Sequence, residues 1–190
     1  KVKQGFLAEL MEKMYNDRKV YKKKELEAKK KYEETKDPEL IKDSSRYHNL
    51  QWAKKIQLNS AYGALGNEWF RWFNFNHAEA ITLSGQLSIR WIERKINEYM
   101  NKTLKSKNVD YVVASDTDSI YVTMEKLVNL SGITDHKKIV ETIDKFCEAK
   151  IQPFIDDCYK ELSTIMGSYS QKMFMKRETI ADKGIWKAKK

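Results

Sequence analysis

Hydrophobic and polar positions follow a helical period through the first third of this 190-residue chain. In residues 1–36, apolar residues recur one to two helical turns apart, at Phe6, Leu10, Met14, Val20 and Tyr21, which predicts one long helix. Asp37-Pro38 breaks that pattern, and a second helical pattern runs from Glu39 toward Tyr62. The first third is therefore predicted to form an antiparallel helical hairpin.

The pattern becomes irregular after the second helix. Gly63 and Gly66 are expected to end that helix, and the aromatic residues within 69–75 predict a short strand or a buried connection. Asn76, with Glu79 three residues later, resembles a capping box and predicts the start of a third helix. The apolar stripe of this helix is expected to pack in the core beneath a sheet: Ile81, Gly85, Leu87 or Ser88, Ile92, Ile96 and Tyr99.

Two short runs predict that sheet. Tyr111 to Ala114 and Ile120 to Val122 are rich in β-branched and aromatic residues, which predicts two strands joined by a tight turn. The turn is Asp116-Thr117-Asp118-Ser119. It directs two carboxylates out of one edge of the sheet, where their mutual repulsion favours a cation between them. Oxygen ligands with no histidine or cysteine nearby favour Mg²⁺ over zinc.

Three other kinds of site or turn share residues with this tetrapeptide. A calcium-binding EF-hand loop is excluded by spacing, because Tyr121 would take the position of the required glycine and Leu127 that of the bidentate glutamate. A phosphatase of the haloacid dehalogenase type would use Asp116 as its nucleophile, but it needs a parallel sheet that the flanking segments do not predict. A plain polar turn remains open, since Asp and Ser are ordinary turn residues.

The C-terminal third is predicted to be helical and then extended. Residues from about His136 to Ile165 predict one or two helices interrupted near Pro153, with Asp156-Asp157 exposed. From Met173 to Lys190, apolar and charged residues alternate, which predicts a strand leading into a basic loop suited to a phosphate backbone.

Charge and cysteine content narrow the class of protein. Thirty-six basic and 27 acidic side chains give a net charge of +9, which indicates an anionic partner such as nucleic acid, although lysine runs are also typical of a solvated helix face. Cys147 and Cys158 predict neither a disulfide framework nor a zinc site, so a reducing compartment is expected. Neither a membrane span nor a signal peptide is predicted. Because the chain starts with Lys1 rather than Met, we expect a fragment or a processed piece.

One face of the second helix has an unusual composition. Lys55, Asn59 and Tyr62 fall at i, i+4 and i+7 and therefore share a face. A cation, an amide and a phenol in line indicate a ligand-facing surface, although lysine and asparagine are also ordinary on exposed helices.

Two segments of the chain resemble motifs of family B DNA polymerases. Lys55-Ile56-Gln57-Leu58-Asn59-Ser60-Ala61-Tyr62-Gly63, followed by Ala64-Leu65-Gly66-Asn67, resembles motif B, and Ser115-Asp116-Thr117-Asp118-Ser119 resembles motif C. The order and separation of the two motifs agree with the family. Their surroundings, including 91–95 and 187–190, are similar to the replicative polymerases of T4-like bacteriophages.

The resemblance implies an α+β fold in which a helical-hairpin fingers domain (1–66), ending in motif B, joins a palm segment (67–190) whose small antiparallel sheet is backed by helices. It implies that Asp116 and Asp118 hold two Mg²⁺ ions. Roles are further implied for residues that contact the incoming dNTP, namely Arg18, Lys22, Lys55, Asn59 and Tyr62, and for residues that contact DNA or the primer, namely Gly63, Thr117, Lys189 and Lys190.

The implied function is addition of dNTPs to a primer 3′-hydroxyl by two-metal phosphoryl transfer. The implied partners are primer-template DNA, dNTP and a sliding clamp, in the cytoplasm of an infected bacterial host and with no membrane. The family's motif A, an aspartate followed by Ser-Leu-Tyr-Pro, is missing, because the only prolines are Pro38 and Pro153. The exonuclease and thumb are missing too. We therefore expect the isolated chain to be inactive until a segment with motif A completes it; the alternative is a non-catalytic, basic nucleic-acid-binding module.

Overall fold

A computed structural model describes residues 3–186, and the chain divides into two compact units, Lys1–Ile81 and Thr82–Lys190. The helices are α1 (Phe6–Thr35), α2 (Pro38–Leu65), α3 (Phe75–Thr103), α4 (Glu125–Ser131), α5 (His136–Phe146) and α6 (Gln152–Ile165), and the strands are β1 (Val112–Asp116) and β2 (Ser119–Val122). The predicted α+β class is confirmed. The boundary between the two units, after Ile81, falls within α3. The predicted division of the chain into domains after residue 66 stays a prediction.

The first unit contains the predicted helical hairpin of α1 and α2. Lys36 ends α1 in the left-handed conformation, with φ of 57°. The carboxylate of Asp37 then accepts a hydrogen bond of 3.0 Å from the Glu39 backbone N–H and caps α2. Pro38 occupies the first turn of α2, where its missing N–H costs nothing. The turn of the hairpin is therefore Lys36-Asp37, one residue before the predicted break at Asp37-Pro38, because Pro38 belongs to α2.

The packed face between α1 and α2 differs from the predicted stripe. Phe6, Leu10 and Val20 are exposed, whereas the buried residues on the two helices are Glu25, Ala28, Gln51 and Leu65. Glu25 is buried because Lys29 and His48 satisfy its carboxylate, at 2.6 and 3.1 Å. Met14 and Tyr21 of the predicted stripe are half-buried, so the interface combines apolar contact with one hydrogen-bonded carboxylate.

The segment between α2 and α3 is a series of turns. The predicted short strand or buried connection is wrong, since 66–74 has no strand and Trp69 is 87 % exposed. The capping residue is also different from the one expected. Asn74, not Asn76, accepts a hydrogen bond of 3.0 Å from the His77 backbone N–H at the start of α3.

The core of the second unit forms where the C-terminal half of α3 packs with the strands and α6. Ile92 and Ile96 of the predicted stripe are fully buried on α3, whereas Ile81 and Leu87 are exposed. Met100 is also fully buried, in place of the predicted Tyr99, which is half-buried. The remaining core residues are Leu104, Tyr111, Val112, Ile151, Ile155, Cys158, Tyr159 and Leu162. The prediction that α3 supports the strand pair is confirmed.

Two asparagines of α3 hold the start of β1. Asn97 Oδ1 accepts hydrogen bonds from the backbone N–H groups of Tyr111 (2.8 Å) and Val112 (3.2 Å). Asn101 bonds both the N–H and the carbonyl of Val109, at 3.0 and 2.7 Å. A side-chain amide offers both a donor and an acceptor. Each asparagine can therefore satisfy backbone groups that would otherwise need hydrogen bonds from a neighbouring strand.

The rest of the second unit is helical and then irregular. A π-helical segment, Cys147–Ile151, joins α5 to α6, and Pro153 lies in the first turn of α6, close to the predicted interruption. The predicted C-terminal strand is wrong for the described residues 173–186, which are irregular. This tail docks where Gln152 Nε2 donates to the Met175 carbonyl at 2.8 Å. Both cysteines are free thiols, and no described helix is long and apolar enough to cross a membrane.

Candidate functional site

The candidate metal-binding residues lie on a two-residue turn between β1 and β2. Asp116 pairs with Ser119 in the antiparallel register, so Thr117 and Asp118 form the turn itself. Thr117 adopts φ of 53°, which β-branched residues rarely do. The Asp118 N–H donates to the Asp116 carbonyl at 2.6 Å, and Ser119 Oγ donates to the same carbonyl at 3.1 Å. These bonds hold both aspartates at the exposed tip, as the sequence predicted.

The two carboxylates suit part of a magnesium site. Asp116 and Asp118 are both exposed, and Thr117 Oγ1 donates a hydrogen bond of 3.0 Å to Asp116 Oδ1. Mg²⁺ is commonly held by one or two carboxylates together with waters and substrate phosphates, which is what this tip can offer. Within residues 3–186, no group of three or more acidic, histidine or cysteine side chains is placed to hold a metal.

Tyr159 is a residue near this turn that the sequence analysis missed. It lies on α6, is almost fully buried, and belongs to the core on which the strands rest. Burial raises the pKa of its hydroxyl, and the negative charge of Asp118 raises that pKa further. The field of Asp118 therefore reaches the phenol beneath the hairpin. The helical spacing of Ile151, Ile155, Tyr159 and Leu162 was a signal for this buried face.

The C-terminal tail returns to the strand that follows the turn. The ring of Trp186 meets the ring of Tyr121 edge-on, with centroids 5.3 Å apart. A Cβ atom at Gly184 would lie 3.0 Å from the Trp186 ring, so the absence of a side chain there lets the indole fold back. Lys189 and Lys190, the predicted primer-contacting residues, lie outside the described residues.

The predicted ligand-facing side chains of the first unit lie on one continuous helix. Lys55, Asn59 and Tyr62 are all in α2, so their spacing puts them on one face. Lys55 is partly buried, Asn59 is exposed and Tyr62 is 45 % exposed. Gly63 does not end the helix, which continues to Leu65. A Cβ at Gly63 would meet no atom within 4 Å, so this position leaves an open surface beside Tyr62.

Arg18 and Lys22 lie one turn apart on α1, the other helix of the hairpin. An ion pair of 3.1 Å joins Asp17 of α1 to Lys54 of α2, the residues that precede Arg18 and Lys55 in the chain. Lys22 is exposed. Among the described side chains, Arg18 Nε is buried without a hydrogen-bond partner, an uncommon state for a charged group.

The architecture excludes the dehalogenase interpretation. That chemistry needs a parallel sheet around its first aspartate, but the described sheet has two antiparallel strands. A dehalogenase would also use a later acidic pair as metal ligands, but Asp156 and Asp157 have other partners. Asp156 accepts a hydrogen bond from Gln152 at 3.0 Å, and Asp157 pairs with Lys160 at 2.8 Å.

Comparison with known proteins gives matches to DNA polymerases alone among the family models and relatives described below. The model of DNA polymerase family B matches residues 1–165. The DNA-directed DNA polymerase of Enterobacteria phage T4 is 43 % identical over 148 residues, which cover 72 % of this chain and 16 % of the phage protein. The DNA-directed DNA polymerase of Escherichia phage RB69 is 40 % identical over 148 residues, with the same coverage of both chains. The matched part is therefore a small portion of these relatives.

Proposed function

This chain belongs to DNA polymerase family B, and we propose that it supplies the fingers and part of the palm of a template-directed DNA polymerase. The proposed reaction is addition of dNTPs to a primer 3′-hydroxyl. The observation that carries the proposal is the pair of exposed carboxylates, Asp116 and Asp118, held at the tip of a two-residue turn. The proposed setting is the infected bacterial host cell, with primer-template DNA, dNTP and a sliding clamp as partners.

In this proposal Asp116 and Asp118 hold two Mg²⁺ ions together with the triphosphate. Bound Mg²⁺ supplies a lowered pKa for the primer 3′-hydroxyl and neutralises charge on the triphosphate and the leaving pyrophosphate. Thr117 and Ser119 support Asp116 through their hydrogen bonds to its carboxylate and its backbone carbonyl. A further carboxylate, from a segment that carries motif A, completes the metal site; the exonuclease and thumb belong to other parts of the polymerase.

The hairpin of α1 and α2 binds the incoming nucleotide. Lys55, Arg18 and Lys22 contact the triphosphate, where fixed cations stabilise the charge that develops during transfer. Asn59 lies beside them. Tyr62 packs against the nascent base pair and its sugar, and its bulk disfavours a ribose 2′-hydroxyl. The open surface at Gly63 lets DNA approach the helix, and Thr117, Lys189 and Lys190 contact the primer strand.

Asp118→Asn in the complete polymerase tests the metal assignment. We expect primer extension to fall at least about 10³-fold, because metal stabilisation of charge contributes several kcal/mol and each ~1.4 kcal/mol is a factor of ten. Primer-template affinity should change little, since the aspartates contact DNA through the metal and the nucleotide. Asp157→Asn is the matched control, because Asp157 is an exposed carboxylate paired with Lys160.

Two results would count against the proposal. Near-normal extension by Asp118→Asn would remove this residue from the metal site. The second result has two parts: DNA affinity depends on salt but not on Mg²⁺, and primer extension is unaffected by both Asp116→Asn and Asp118→Asn. Together they would favour the basic binding module instead.

A further inference from the structure

Lys55 has an aromatic partner on its own helix. Its ammonium lies 4.8 Å from the centre of the Trp52 ring. The two residues are three apart on α2, a spacing at which side chains meet on the helix surface. An ammonium over the face of an indole is attracted by the negative face of the ring. The ring therefore favours one placement of a side chain that otherwise has four freely rotating bonds.

The Trp52 ring is itself held in place. The imidazole of His48 stacks on it with centroids 6.3 Å apart and ring planes 15° from parallel. His48 Nδ1 lies 3.1 Å from the buried carboxylate of Glu25 on α1, which also binds Lys29 at 2.6 Å. His48, Trp52 and Lys55 follow at i, i+4 and i+7, so they share one face of α2. A chain of contacts thus runs from the hairpin interface to the Lys55 ammonium.

We propose that Trp52 is a positioning residue that holds the ammonium of Lys55 ready for the triphosphate. The inference rests on the proposed function, in which Lys55 contacts the nucleotide. An ammonium on a ring face still directs N–H groups away from the ring, so it can bind a phosphate oxygen without leaving the indole. Because Trp52 is about half exposed, its contribution is modest and appears in nucleotide binding more than in the chemical step.

The test is single-nucleotide incorporation by the complete polymerase at varied dNTP concentration. Trp52→Leu should raise the apparent KM for dNTP about twofold to fivefold, the range of a half-exposed cation–π contact, while kcat and primer-template affinity stay within about twofold. Trp52→Phe keeps an aromatic face and should recover most of the loss. Tyr47→Leu is the matched control: it removes the ring beneath Lys24, 5.6 Å away on the same hairpin, and should leave KM unchanged.

A second set of variants separates this inference from the proposed function. In a Lys55→Ala background, Trp52→Leu should add nothing, because the residue it positions is gone. An equal effect of Trp52→Leu with and without Lys55 would mean a merely structural role and would overturn the inference, as would an unchanged or lowered KM in Trp52→Leu alone. If Lys55→Ala itself leaves KM unchanged, the nucleotide-binding role of Lys55 is wrong, and the inference is wrong with it.

Discussion

Asn97 is expected to determine whether the strand that carries the aspartates stays attached to α3. Its Oδ1 accepts hydrogen bonds from the Tyr111 and Val112 N–H groups, at 2.8 and 3.2 Å, and its Nδ2 donates to Asp110 at 2.8 Å. Asn97→Ala removes all three bonds. Val112 N–H keeps a second acceptor, Asp110 Oδ1 at 3.1 Å, but no second acceptor is seen for Tyr111 N–H among residues 3–186.

The expected loss of stability in Asn97→Ala follows from this difference between the Tyr111 and Val112 N–H groups. An unsatisfied N–H in a buried residue costs about 1–3 kcal/mol, and each partly exposed hydrogen bond that is lost costs about 0.5–1 kcal/mol. Tyr111 is 1 % exposed, so its N–H takes the larger cost. We therefore expect Asn97→Ala to lower the free energy of unfolding of the second unit by about 2–5 kcal/mol.

The assay is urea unfolding of this chain followed by circular dichroism, with amide hydrogen exchange to assign the loss to 111–122. Lys102→Ala, an exposed change on the same helix, is the control and should stay within about 0.5 kcal/mol of the parent chain. The reasoning is refuted if Asn97→Ala also stays within that range.

Two further predictions concern stability. Ile96 is fully buried, so Ile96→Ala should cost about 2–5 kcal/mol in urea unfolding, and a cost under about 1 kcal/mol would contradict the described core. The hydrogen bond from Lys29 lowers the pKa of the Glu25 carboxyl, burial opposes this, and His48 lowers that pKa further. A depressed pKa means that the stabilisation is present at neutral pH and is lost as pH falls through the folded-state value, below about 4.5. Glu25→Gln should therefore flatten the acid dependence of hairpin unfolding below about pH 5; an unchanged slope would remove Glu25 from that transition.

The hairpin turn and the aspartate turn were predictable because each depends on residues that are close together in the sequence. Asp37 and Pro38 mark the hairpin turn by capping chemistry and a fixed backbone angle. Asp116 and Asp118 lie at the tip because β-branched and aromatic runs on both sides require strands, and two strands so close in sequence must pair as a hairpin.

The errors lie where tertiary contacts override local pattern. Asn74 rather than Asn76 caps α3, because the Asn74 N–H is bonded to the Leu65 carbonyl at 3.1 Å and its side chain then faces the helix start. A register irregularity between Val112 and Ala114 changes which residues face the core, so Val113 is exposed although it continues the apolar run. Neither the hydrogen bond to Leu65 nor the register irregularity can be predicted from a few neighbouring residues of the sequence.

The sequence by itself determined the two long helices of the first unit, the aspartate turn and the family, since each depends on residues close together in the chain. The tertiary structure decided which faces are buried: Glu25 lies inside the hairpin and Phe6 outside it, and Tyr159 lies within the field of Asp118. The reason is physical. A buried polar group is stable only when distant residues satisfy it, and a pKa responds to charges that are near in space rather than in sequence.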